Sequence, residues 1–265
     1  MKFQDRKIRN VARQVERERI RYSNFAKNLQ ETYLKGEILA EGVSGIPIFH
    51  HAPIISYYAA IAKLIHPESS VLELGAGTGR HTGVLLDCGA KVTALDISEE
   101  SLQFLELRTV KKLNTICASM ESIPLPNSSF DFIVCAGSLS YADFELTWSE
   151  ITRVLKPGGS LILLDTLNHN PIYRLNRFFQ FLMGNRTFLT LVRMPKMSQI
   201  RRISPEFSNS RLSTFGEFLW IRILLKPLLG SRFANEFVTS IEARRSTSKY
   251  GFKFLLVAEN FRGQL

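Results

Sequence analysis

The chain has 265 residues, 45 % of them apolar, which is enough for one large buried core or a core with an appendage. Its three cysteines form no CxxC pair and no even framework, which argues against a disulfide scaffold and a structural zinc site. The net charge of +10 is shared unevenly: residues 1–35 carry +6, residues 36–166 carry −7 and residues 167–235 carry +9. Nucleic-acid-binding proteins often show such a basic balance, but here the positive charge flanks an acidic middle. The start, "MKFQDRKIRN", has no apolar stretch and does not read as a signal peptide. "FLWIRILLKPLL" is broken by Arg222 and Lys226 and falls short of a membrane span. A soluble, cytoplasmic protein is expected.

In chain order, the first predicted element is an amphipathic helix, with Ile8, Val11, Val15, Tyr22, Phe25 and Leu29 recurring at helical spacings. From Ser70 the pattern alternates between strand-like and helix-like runs. "SVLELG" is a first strand, and "TGRHTGVLLDCG" a helix closed by Gly89. "KVTALDIS" is a second strand, and "EESLQFLELRTVKK" a helix with acids at its start and lysines at its end. "NTICAS" and "SFDFIVCAG" read as the third and fourth strands. "ELTWSEITRVLKPGG" reads as a helix with Leu146, Ile151 and Leu155 inward, stopped by Pro157-Gly158-Gly159. "SLILLD" is a fifth strand, and "YGFKFLLVAEN" a last, antiparallel one.

Apolar runs without clean alternation indicate strands covered on both faces. The expected fold is therefore α/β and Rossmann-like: a doubly wound, mainly parallel seven-stranded sheet, with an N-terminal helical arm and a cap insertion after strand five. The expected division is a helical arm and lid over residues 1–66, a cofactor-binding core over 67–166, a cap over 167–235, and a C-terminal helix and last strand over 236–265. No internal repeat or low-complexity linker is present.

"VLELGAGTGR", residues 71–80, ends the first strand in three glycines. A dinucleotide turn wants Gly-x-Gly-x-x-Gly, and the third position here is Arg80. Glu73, two residues before the turn, would repel a pyrophosphate and welcome an ammonium group. No Gly-Lys-Ser/Thr is present to make a phosphate-binding loop.

Four motifs stand in order: this turn, Asp96 at the end of "VTALDIS", then "SIPLPNSSFDFIVCAGSL", then "EITRVLKPGGSLILLD". Together they resemble the class I S-adenosylmethionine-dependent methyltransferases, in particular the type 11 set that includes the ubiquinone/menaquinone-methyltransferase-like enzymes. The likeness covers about residues 68–166 and the final strand. It implies S-adenosylmethionine as cofactor, with Gly75, Ala76, Gly77 and Gly79 forming the turn against its methionine and ribose portions. It implies that Glu73 faces the amino acid end, the alternative being a structural carboxylate. Asp96 would take the ribose hydroxyls, the alternative being a helix N-cap, for which Ser98 is better placed. Ile97, His81 and Ala136 would complete the cofactor site. One departure from the family is Ser119, where an acid before the adenine amino group is expected. A hydroxyl can still bond adenine there, with Met120 packing on its face. The departure keeps a non-catalytic cofactor-binding or scaffold protein open as an alternative.

The resemblance places the methyl acceptor near Ala136–Tyr141 and Thr166–Asn170. "CAGSLSY" lacks the Asn/Asp-Pro-Pro-aromatic motif of nucleic-acid amino-methylating relatives, and Cys135 follows Val134 rather than a proline. Nucleic acid is therefore not the expected partner. No metal is expected, since only Asp165 and Asn168 are near and they are not adjacent. His169 after the fifth strand is the catalytic base candidate, against a plain surface histidine, with Tyr141 and His81 behind it. His50 and His51 read equally as lid or structural residues. The cap interleaves Arg174, Arg177, Arg186, Arg193, Arg201 and Arg202 with Phe178, Phe179, Phe181 and Phe188. This suits an anionic or sugar-containing small-molecule acceptor, methylated at oxygen. The alternatives are a lipid or quinone acceptor with peripheral docking at the inner membrane face, or a merely solvated basic face.

Overall fold

The computed structural model describes residues 2–35, 51–217 and 251–263, together with Gly230 and Phe233. Seven strands form one sheet in the order β3-β2-β1-β4-β5-β7-β6. They are β1 (Ser70–Leu74), β2 (Lys91–Asp96), β3 (Asn114–Cys117), β4 (Phe130–Ala136), β5 (Leu155–Thr166), β6 (Phe207–Phe215) and β7 (Lys253–Phe261). β1 pairs in parallel with both β2 and β4, so the strand order reverses at β1, and the crevice for a ligand opens at the carboxyl ends of β1 and β4. β7 runs antiparallel to its neighbours β5 and β6. Strands β1, β4 and β5 are apolar on both faces because helices cover both, and Leu72, Ile133, Leu161 and Leu163 are fully enclosed.

The helices are α1 (Lys2–Leu34), α2 (His51–Leu64), α3 (Thr82–Asp87), α4 (Glu99–Arg108), α5 (Phe144–Val154), α6 (Pro171–Leu182), α7 (Phe188–Val192) and α8 (Met197–Ile203). Ser98 caps α4, its Oγ accepting from Ser101 N at 3.2 Å, and this leaves Asp96 for other work. Asp143 caps α5 in the same way, accepting from Glu145 N and Leu146 N.

Three expectations need correction. Leu146 does not point inward. It is 53 % exposed, because α5 buries the face through Phe144, Thr147, Ile151 and Val154. The helix also ends at Val154, before Pro157-Gly158-Gly159, which belong to β5 at a register shift against β4. Finally, the range read as a cap contains a strand. β6 carries exposed Ser208, Asn209, Ser210 and Arg211, a polar edge strand that leaves no apolar signal in the sequence. The helix expected in residues 236–250, like His50 and "FLWIRILLKPLL", lies outside the described residues.

α1 is a helix, as its periodicity predicts, but its buried face is more polar than the apolar stripe. Phe25 is 49 % exposed, whereas Glu18, Ser23 and Ala26 are buried. Ser23 Oγ lies 3.1 Å from Ser98 Oγ and donates to Glu100 Oε2 at 2.5 Å, which ties α1 to the start of α4. The arm thereby crosses the carboxyl ends of the strands.

Candidate active site

The glycine turn is held from both sides. Gly75 N and Ala76 N donate to Leu95 O at 2.7 and 3.1 Å. Gly77 N donates to Asp96 Oδ2 at 2.8 Å, while Asp96 Oδ1 accepts from Ser98 N at 2.9 Å. Asp96 is thus a latch between β2 and the turn, and it still faces the cavity. Burial pushes its carboxyl up, partly offset by the backbone donors Ser98, Gly77 and Ile97.

Two of the glycines answer different demands. Gly75 has φ +66°, and a Cβ there would stand 2.3 Å from Ser138 Oγ. Gly77 has φ +54°, and a Cβ there would meet nothing within 4 Å, because it opens onto the cavity. Gly79 packs on Leu105 of α4 and lines a separate open groove with Arg80 and Arg108. Of the three, only Gly77 leaves room at its Cα for a ligand's close approach.

The cavity measures about 220 Å³. It brings together Gly75, Ala76, Gly77, His81, Asp96, Ile97, Met120, Ala136 and Tyr141 from the expected site residues. An acidic residue at the end of β2, a left-handed glycine without a neighbour and the apolar walls Ile97 and Met120 fit a nucleoside with an attached cationic group.

Glu73, Ser119, Gly79 and His169 do not line it. Glu73 is buried behind the turn, where Thr82 Oγ1 donates to its Oε2 at 2.6 Å. Burial raises its carboxyl to about 7, the Thr82 bond opposes the rise and nearby Asp96 adds to it. Ser119 is exposed, and its hydroxyl accepts from Glu121 N in a local turn. The adjacent Glu121 does not replace the missing acid, since it is engaged by Arg193 at 2.8 Å and by Asp143 N at 2.6 Å. His169 lies in another cavity, of about 350 Å³, with Asn168, Lys196, Met197, Ser198 and Arg201.

His81 stands at the cavity wall with Nδ1 2.8 Å from the Tyr58 hydroxyl of α2. Burial, then Arg80 and Lys253, push its imidazole down to about 4, so it is neutral near pH 7. Cys135 is fully buried, and burial pushes its thiol up to about 12, which leaves no nucleophile there. Among the described residues no group of three His, Cys, Asp or Glu is placed to hold a metal ion.

The roof of the cavity was not legible in the sequence. α1 supplies Glu18, Arg19, Tyr22 and Phe25, which share the lining with Tyr141. Tyr22 Oη donates to Tyr141 Oη at 2.7 Å, and Arg21 Nη2 reaches the same oxygen at 3.4 Å. Arg186, from the loop between α6 and α7, also donates to it. Burial, then the neighbouring Tyr141, push the Tyr22 hydroxyl well up, so it stays a donor. Glu18 Oε2 pairs with Arg21 at 2.7 Å, and Thr187 N donates to Glu18 Oε1 at 3.1 Å, so the arm and the α6–α7 loop are joined above Tyr141. The sequence places Tyr22 only in the apolar stripe of its helix. No local signal marks a partner 119 positions away.

Comparison with known proteins covers the same part of the chain. A family model described as a methyltransferase domain, type 11, matches residues 72–163. The chain is 32 % identical over 127 residues to a malonyl-[acyl-carrier protein] O-methyltransferase of Methylococcus capsulatus, covering 46 % of each protein. It is 35 % identical over 111 residues to a demethylmenaquinone methyltransferase of Tropheryma whipplei, covering 40 % of this chain and 46 % of the other. The chain spans less than half the length of these curated relatives. A solved complex of the Haloferax volcanii Trm112 methyltransferase activator and a putative methyltransferase shares the fold. That likeness has a TM-score of 0.59 and 16 % identity, over 90 % of this chain and 97 % of that one. Residues 72–163, about a third of the chain, are thus similar to the type 11 methyltransferase domains.

Proposed function

We propose that the whole chain transfers a methyl group from S-adenosylmethionine to an oxygen of a small acidic acceptor, of the sugar or glycan kind or another anionic metabolite. The observation that carries this is the cavity itself, with Gly77 and Asp96 on one wall and the Tyr22–Tyr141 hydroxyl pair under Arg21 and Arg186 on the other. The cofactor supplies an electrophilic methyl on a sulfonium. The residues of this chain need only align the acceptor and take its proton. In this scheme Asp96 accepts both ribose hydroxyls, Ile97 and Met120 flank the base, and Glu73 draws the cationic end from behind the turn. Tyr141 is the proton acceptor favoured by its place in the cavity, with His169 serving only an acceptor that reaches past β5. The O-methyltransferase among the relatives supports oxygen as the acceptor atom.

A second proposal, a lipid or quinone acceptor at the inner membrane face, is favoured by one surface. Leu175, Phe178, Phe179 and Leu182 of α6 are 43–61 % exposed, beside a groove lined by Arg174 and Lys196. The demethylmenaquinone methyltransferase among the relatives points the same way. Among the described residues no helix is long and apolar enough to cross a membrane. Methyl-labelled S-adenosylmethionine, the purified protein and a fractionated extract of its source cells separate the two. Label is expected in the aqueous anionic fraction, and label in the lipid fraction overturns the first proposal for the second. No label anywhere, with S-adenosylhomocysteine still bound, returns the scaffold alternative.

A further inference from the structure

Beside the cavity a buried arginine, Arg177, and a half-buried lysine, Lys253, stand together, and among the described residues little negative charge balances them. Arg177 is 8 % exposed. Its Nε donates to the Tyr173 hydroxyl at 3.0 Å, and its Nη2 reaches Thr166 Oγ1 at 3.5 Å. Its Nη1 is buried with no hydrogen-bond partner. Lys253 opposes Thr166 in the antiparallel pairing of β5 and β7, and directly opposed residues share a face, so Lys253 stands on the same side of the sheet as Arg177. Burial pushes its ammonium down, and Arg177 pushes it further, against the pull of Asp165. Neither cation takes part in the ion pairs of the described residues.

Among the described residues Asp165 is the carboxylate that acts on Lys253, and both of its oxygens are already bound to other groups. Oδ2 accepts from Leu139 N at 2.7 Å, and Oδ1 accepts from Thr166 N at 2.6 Å and from Thr166 Oγ1 at 3.1 Å. Burial also raises its carboxyl, which weakens the negative charge it offers. A buried cation without a close counter-charge is costly, and a second cation beside it adds to the cost. A bound anion would remove that cost and would meet Nη1 of Arg177 in the geometry guanidinium favours for carboxylate or phosphate.

The cluster adjoins the acceptor side of the cavity. Leu139, which donates to Asp165, begins the turn that carries Tyr141 to the roof, and Ser138 before it lines the cavity. His81, also in the lining, feels the charge of Lys253. We propose that Arg177 and Lys253 form an oxyanion site that binds a carboxylate or phosphate group of the methyl acceptor. The assignment of that anion to the acceptor rests on the function proposed above. The site itself rests on the buried, unpartnered Nη1 of Arg177 and on Lys253 beside it.

The test uses the full chain with inorganic phosphate and with malonate as probes, read by thermal shift and by calorimetry, and S-adenosylhomocysteine titrated into the same samples. The parent is expected to be stabilised by at least one probe, phosphate marking a phosphoryl group and malonate a carboxylate. Arg177→Gln and Lys253→Met are expected to weaken the probe at least tenfold while binding S-adenosylhomocysteine within about twofold of the parent. Without any probe, Lys253→Met is expected to melt at or above the parent temperature, since it removes an unbalanced charge. Equal probe binding in parent and variants overturns the proposal, as does a parent that responds to neither probe. A lower melting temperature for ligand-free Lys253→Met also overturns it, because that is the mark of a structural ion pair with Asp165. If Arg177→Gln does not fold, Arg177→Lys takes its place, with the same loss of probe binding expected. Failure of the parent to bind S-adenosylhomocysteine would instead count against the methyltransferase proposal.

Discussion

The two walls of the cavity are built by opposite means. On the glycine side, the chain folds back on itself within about thirty residues. Gly75 N donates to the Leu95 carbonyl and Gly77 N to the Asp96 carboxylate, contacts made between neighbouring strand ends. On the roof side, Tyr141 meets Tyr22 of α1 and Arg186 of the α6–α7 loop through side chains brought from distant parts of the chain. The first wall lies in the acidic middle of the sequence, and the second brings Arg21, Tyr22 and Arg186 from its basic flanks onto Tyr141 of that middle. Local backbone geometry restricts the first to few solutions, whereas the second varies with side chains that no strand pairing fixes. Under the proposed function, donor recognition belongs to the first wall and acceptor choice to the second.

Substitutions on the two walls can break this division. The largest effect is expected from Tyr141→Phe, which should lower label transfer by about a hundredfold or more if the Tyr141 phenolate takes the acceptor proton. His169→Ala should retain turnover between pH 6 and 9. The reverse ranking would move the chemistry to the other cavity. On the glycine side, Gly75→Ala should cost about 3 kcal/mol in a denaturant titration, because a Cβ meets Ser138 and φ is positive. Gly77→Ala should cost about 1 kcal/mol of stability and yet weaken S-adenosylhomocysteine more than tenfold, since its Cβ enters the cavity rather than the protein. A Gly77→Ala protein with parental affinity would remove the close-approach argument.

The pH dependence of stability tests the buried carboxylate behind the turn. Glu73 titrates near 7 folded and near 4.5 unfolded, so folding is favoured most below about pH 4.5, where both forms are protonated. Stability should fall as pH rises from 4.5 to 7 and then level off, a loss of about 3 kcal/mol at most. Glu73→Gln should lack this slope and exceed the parent at pH 8. His81, held near 4, works in the opposite sense as pH falls below 6.5, so the difference between the parent and Glu73→Gln curves is what isolates Glu73. Parallel curves would show that Glu73 is ionised in the fold.

Smaller effects are expected further along. Asp96→Ala should weaken S-adenosylhomocysteine about tenfold to a hundredfold in calorimetry, the worth of one or two hydrogen bonds to a charged group. An unchanged affinity would reduce Asp96 to the turn's latch. At the amino end of the sheet, Asp131 accepts from Lys156 at 2.8 Å and from Ser70 Oγ at 2.6 Å. These bonds hold its carboxyl down at about 2, against burial, which raises it. Their contribution is present above about pH 4 and lost as pH falls towards 2. The pair is some 40 % exposed, so Lys156→Met should cost only a few tenths of a kcal/mol. It should leave ligand binding untouched, and a change in affinity there would show that the far end of the sheet is coupled to the cavity.

Strands β1 to β5, the glycine turn, Ser98 as a helix cap and Asp96 at the cavity were all readable from residue order. The strands, the turn and the cap depend on periodicity, turn chemistry and steric demands that act over a few residues, and the place of Asp96 followed from the family resemblance. β6 was not readable, because a polar edge strand buries too little to leave a pattern. Nor was the inward face of α1, where Ser23 and Ala26 replace the apolar stripe because α4 approaches closely there. The place of Ser119 outside the cavity, the seclusion of His169 and the convergence of Tyr22, Tyr141 and Arg186 came only with the tertiary structure. So did the pairing of Arg177 with Lys253, 76 positions apart in the sequence. Burial and electrostatic balance depend on which distant side chains share a space, and that is a property of the assembled sheet and its covering helices rather than of any stretch of chain.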